Sequence, residues 1–140
     1  MKHALAVAGV LVLAGCTAGG SPPTAAPPAT VTIAIDNRSG ATLFCTAVLA
    51  HFITRDTGPI PSGARVALEF DRPDDRGTLA YGTHNGAPMY VENLLCGREG
   101  AWDATRVDID LRPARSGTAE RYALRCTDGE PLACALEPQP

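Results

Sequence analysis

From residue 31 to the end of the chain, apolar side chains recur at every second position in short runs, and no window carries a 3.6-residue apolar stripe with caps. That periodicity admits strands and excludes a helical bundle. Val31, Ile33 and Ile35 alternate with Thr32 and Ala34, and Asn37-Arg38-Ser39-Gly40 supplies turn residues. Ala41 to Ile53 is apolar on both parities, Leu43, Cys45, Leu49 and Ile53 on one and Phe44, Val48 and Phe52 on the other. It predicts one long central strand, or a strand with a bulge, ended by the Gly- and Pro-rich stretch from Thr57 to Gly63. Val66-Leu68-Phe70, Leu79-Tyr81, Met89 to Cys96, Val107-Ile109-Leu111, Tyr122-Leu124-Cys126 and Leu132-Cys134-Leu136 read as further strands. His84-Asn85-Gly86 marks a tight hairpin, because Asn-Gly accepts positive φ at little cost. The expectation is an all-β domain, a single sandwich or small barrel of about 7–8 short, mostly antiparallel strands.

The first 30 residues are built differently. Lys2 precedes an apolar run from Ala4 to Ala14 that ends in small residues, the layout of a secretory signal peptide over residues 1–15. Leu13-Ala14-Gly15-Cys16 resembles the lipobox of bacterial lipoproteins: a branched apolar residue, two small residues, then cysteine. The resemblance covers residues 1–16 and implies that Cys16 becomes a lipidated mature N-terminus, with everything after it exported and tethered in the cell envelope. Two or more acyl chains anchor stably, at about 0.8 kcal/mol per buried methylene. Residue 17 is Thr rather than Asp, which in a Gram-negative host points to the periplasmic face of the outer membrane. Residues 16–30 then form the lipidated cysteine and a Pro- and Ala-rich tether with no charge or large apolar side chain after Cys16. Extended at about 3.1 Å per residue, it spans roughly 40 Å. Residues 31–140 are the folded domain.

Five cysteines leave one unpaired in an exported protein. Assigning Cys16 to lipid leaves Cys45, Cys96, Cys126 and Cys134, an even set that reads as two disulfides. Four cysteines permit three pairings. A two-residue Asp128-Gly129 turn would set Cys134 against Ala123, whereas a wider turn near Glu130 and Pro131 sets it against Cys126. The wider turn favours Cys126–Cys134 with Cys45–Cys96.

The chemistry-bearing residues do not assemble. Outside Lys2 every basic residue is Arg, and fifteen acids leave the domain weakly acidic, a poor match for nucleic acid. His51, in the apolar run, and His84, in a turn, have no second His or Cys at metal spacing. Ser39, Ser62 and Ser116 sit in no Gly-x-Ser-x-Gly elbow. Asp71, Asp74 and Asp75 lack calcium-loop spacing and read as a solvated turn. Arg106, Asp108, Asp110 and Arg112 read as the solvent face of one strand. No cofactor or metal is implied, and no catalysis.

The best contact candidate is the loop from Gly97 to Ala104, with Trp102 flanked by Arg98 and Asp103. Trp102 is either an exposed anchor for an envelope protein or glycan, or a plug for the end of the sandwich. The expected function is a lipid-anchored module that binds or scaffolds in the envelope. An alternative comes from Ser62-Gly63-Ala64-Arg65, similar to the Ser-Gly-x-Arg-Tyr loop of periplasmic C-type lysozyme inhibitors, with Val66 in place of the Tyr. That likeness implies inhibition of an envelope hydrolase.

Overall fold

The computed structural model describes residues 30–73 and 76–140. The Leu13–Cys16 box, the tether before Thr30, and Asp74 and Asp75 lie outside the described residues. Nine strands follow in chain order: β1 (Thr30–Asn37), β2 (Leu43–Leu49), β3 (Ile53–Ile60), β4 (Arg65–Asp71), β5 (Ala80–His84), β6 (Ala87–Arg98), β7 (Val107–Asp108), β8 (Arg121–Thr127) and β9 (Ala133–Pro138). Two single-turn helices, α1 (Trp102–Thr105) and α2 (Arg112–Ser116), flank β7. The strands form one mixed sheet in the order β3-β2-β6-β5-β4-β1-β8-β9, with β7 also on β6.

The sheet folds over on itself like a sandwich, and β6 belongs to both halves. Its first half pairs with β5, and its second half lies between β2 and β7. The inward parities of both halves meet in one core that includes Val31, Ile33, Ile35, Leu43, Leu49, Phe70, Leu94, Tyr122 and Leu124. Among the described residues, only β1 and β8 run parallel. Both disulfides join residues directly opposite each other, Cys45 on β2 to Cys96 on β6 and Cys126 on β8 to Cys134 on β9. The all-β architecture and this pairing are those read from the sequence, with nine strands in place of seven or eight.

Three local expectations are corrected. The run from Ala41 to Ile53 is not one strand. β2 stops at Leu49, Ala50–Phe52 turns, and β3 continues through the Gly-Pro stretch to Ile60. His51 (φ 65°) and Phe52 (φ 60°) make that turn in left-handed backbone, a conformation that His and Phe seldom adopt, so no turn signal was visible. His51 therefore sits in an exposed turn. The stretch from Val107 to Leu111 is strand only at Val107–Asp108. The Asp110 carboxylate accepts the backbone N–H of Arg112 at 3.0 Å and turns the chain into α2, whose first turn contains Pro113. Asp110 and Arg112 are thus an ion pair beside a helix start, not part of one strand face with Arg106 and Asp108, and Arg112 holds the Asp110 carboxyl down at about 2. Finally, β6 runs on through Gly97 to Arg98, and Trp102 opens a helical turn rather than lying in an irregular loop.

The end of the sandwich where β1 finishes is closed by polar side chains. Asp36, 6 % exposed, accepts hydrogen bonds from Arg38 at 2.8 and 2.9 Å and from Arg65 at 3.2 Å. The Arg38 hydrogen bonds, opposed by burial and reinforced by Arg65, hold its carboxyl below the usual value. A carboxyl depressed in the folded state stabilises above its unfolded pKa, about 4, and that contribution is lost as pH falls through the folded value. Stability should therefore decline below about pH 4, and Asp36→Asn should flatten that decline. Urea midpoints measured across the acid range test this, and an unchanged acid slope in Asp36→Asn would contradict it.

Candidate functional site

The site grows out of the second apolar parity of β2. Leu43, Cys45, Ala47 and Leu49 point into the core, which turns Phe44, Thr46 and Val48 outward on the opposite face. β2 lies between β3 and β6, so Thr54 of β3 and Leu95 of β6 flank this outward row. Together they line a groove of about 590 Å³, closed at one end by Arg98, Glu99, Gly100 and Trp102. Its walls are mostly carbon. Of its hydroxyls, that of Thr46 already donates to Asp56.

Trp102 is neither fully exposed nor a core plug. Its ring lies over Gly97, where an added Cβ would sit 2.7 Å from Cε3 and 3.2 Å from Cζ3. Phe44 meets it edge to face, with centroids 6.1 Å apart and planes at 84°. The indole thus stands half-buried as the end wall of the groove. The helical turn beneath it is held by Thr105, whose hydroxyl donates to Ala101 O at 2.8 Å and accepts Arg98 N–H at 2.9 Å. Gly97→Ala should push the ring off its seat, redden its emission, open it further to iodide, and cost about 1–3 kcal/mol. Trp102 fluorescence with a urea titration reads both effects; an unchanged spectrum would count against this packing.

The other two contact candidates fare differently. Arg98 lines the groove, and its guanidinium reaches Asp128 at 3.3 Å and Gly129 O at 3.1 Å, tying β6 to the β8–β9 turn. Asp103 is 94 % exposed at its side chain and lies 3.7 Å from Arg106, and it does not line the groove. Glu99 supplies the carboxylate there instead. Phe44, Val48, Thr54 and Leu95 were not read as site residues. For Phe44 and Val48 the signal was the apolar outward parity of the Ala41–Ile53 run, taken for a strand packed on both faces; Thr54 and Leu95 join them only through the β3–β2–β6 pairing.

Elsewhere several charged and polar groups are tied into the fold. A second concavity, of about 330 Å³ and lined by Glu92, Asn93, Asp108 and Arg115, is crossed by the Asn93–Asp108 hydrogen bond and the Arg115 contact to Val91 O. The exposed Ser62–Arg65 turn is tied into the fold, Ser62 donating to Ser39 O at 2.6 Å and Arg65 paired with Asp36. Among the described residues, no three His, Cys, Asp or Glu side chains gather as a metal site would need. No known protein family, curated protein or solved structure matches this chain.

Proposed function

We propose that this chain is a lipid-anchored binding module of the cell envelope, acting by recognition rather than catalysis, with the Trp102–Phe44 groove as its contact surface. The observation that carries the reading is an uncovered apolar channel on a β-sheet, ended by two orthogonal aromatic rings and edged by one Arg and one Glu. Such a surface provides buried area at its centre and polar specificity at its rim. A glycan needs many hydrogen-bonding partners around its ring, and this groove offers few. An apolar side chain of a partner protein suits it better. The hydrolase-inhibitor alternative rests on the Ser62–Arg65 turn, whose hydroxyl and guanidinium are engaged within the fold, so the groove is the stronger surface.

A photo-cross-linking residue at Thr54, which is exposed at the groove edge, tests the reading in cells. One discrete adduct to an envelope protein is expected from Thr54 and none from a cross-linker at Thr127. Leu95→Asp should abolish the adduct while leaving the domain folded. Identical adducts from both positions, or an adduct indifferent to Leu95→Asp, would sink the proposal. Direct assay against lysozyme separates the inhibitor alternative.

A further inference from the structure

The two large apolar side chains that stand exposed among the described residues are Phe52, 95 % exposed, and Tyr90, 41 % exposed. The strand register places both at one end of the sandwich. Thr30 pairs with Asp71, Asp71 with Ala80, and Ala80 with Tyr90; the next residue of β6, Val91, pairs with Leu49, and Leu49 with Ile53. This row crosses six strands, and it begins at the residue where the tether joins the domain. The turn that carries Phe52 therefore sits at the tether end. Trp102 and Phe44 lie at the opposite end of β2, and the groove they close runs back along the strand to Val48 and Thr54.

Phe52 is held out at a cost. It and His51 occupy consecutive left-handed conformations, a strain that an Asn or Gly in either place would relieve. The turn itself, from Ala50 to Ile53, carries no acid; the nearest on the hairpin, Asp56, accepts the Thr46 hydroxyl, and Asp71 lies farther along the row on β4. Exposed aromatic rings at the end where the tether joins suit the interfacial zone of a bilayer. One ring binds weakly alone, but a tethered domain meets its membrane at an effective concentration of about millimolar, so a weak contact suffices to orient it.

We infer that the Phe52 turn, with Tyr90 at the same end, is a membrane-interface contact that draws the tether end of the domain onto the lipid surface and presents the Trp102 end of the groove away from it. The inference rests on lipid anchoring at Cys16. The full lipidated chain, reconstituted into vesicles of phosphatidylethanolamine and phosphatidylglycerol with brominated acyl chains, tests it. Phe52→Trp adds an indole at the turn, and the wild type reports Trp102 alone. The bromines should remove most of the added emission and leave that of Trp102 unchanged. An added indole that stays open to iodide on the vesicles overturns the inference. So does one shielded from iodide yet unquenched by bromine, which would mean that a second copy of the chain covers the turn. A chain that does not bind vesicles and carries no acyl mass on Cys16 overturns the anchoring as well; one that binds with an unquenched turn overturns the orientation alone. Phe52→Asn should keep or raise the thermal midpoint, and a clear fall would show that the ring serves the fold.

Discussion

Replacing Cys45 and Cys96 together by Ala should lower the stability of the domain by about 4 kcal/mol. The bridge closes a sequence separation of 51 residues, while Cys126–Cys134 closes only 8. In the chain-entropy account the shorter loop contributes about 2.5 kcal/mol, so the two double replacements should rank in that order. Cys45 and Cys96 are fully buried in the core, directly opposite each other on the two central strands of their half. Their removal also leaves a small void between β2 and β6, which adds to the entropic loss. Urea unfolding without reductant measures both variants. A loss under about 1 kcal/mol for the Cys45–Cys96 pair, or a larger loss for Cys126–Cys134, would contradict the assignment of the long loop as the main staple.

Asn37→Ala should cost about 3–5 kcal/mol, although the substitution removes no apolar contact of any size. The Asn37 side chain is completely buried. Its amide donates to Ala41 O at 2.8 Å and Ile60 O at 2.7 Å, and its carbonyl accepts from Ser39 N at 3.0 Å and Ser39 Oγ at 2.7 Å. One side chain therefore satisfies main-chain groups of β3 and of the β1–β2 turn. Alanine removes the side-chain partner of Ile60 O and of the Ser39 N–H, while Ala41 O keeps the Ser39 hydroxyl at 3.1 Å, and each buried group left unpaired costs about 1–3 kcal/mol. Asn37→Asp should be nearly as damaging, because a carboxylate cannot donate to either carbonyl. Circular dichroism during urea titration reads both. A change of under about 1 kcal/mol would mean that water replaces the amide.

The fold was legible wherever one parity was apolar and the other polar. β1, β4 and β8 are such strands, and the Asn85-Gly86 hairpin carried its own signal, with φ of 51° and 79°. The disulfide pairing followed from turn width. What escaped the sequence reading had a physical cause in each case. The Ala50–Phe52 turn uses residues that seldom make turns, so nothing in its composition marks it. Asp110 and Arg112 keep the alternation of a strand, but Asp110 accepts the Arg112 N–H and turns the chain into α2. The groove was hidden because two apolar parities read as two buried faces; sequence pattern cannot tell a face covered by protein from one left open. Trp102 was found by its scarcity. Its seat on Gly97 depends on an absent side chain, which no local pattern reveals.

The parallel pairing of β1 with β8 has a consequence for how the chain is made. β1 emerges first, yet it is an interior strand whose second edge stays unpaired until Tyr122 and Leu124 arrive beside Ile33 and Ile35. Almost the whole domain must be delivered before that edge closes. Such non-local pairing is slow, and a nascent apolar strand with an open edge invites misassembly. During that interval the chain depends on its own hairpins, β2–β3 and β5–β6, to sequester what they can. Truncations that stop short of β8 should accumulate as aggregates or protease fragments rather than as a smaller soluble domain.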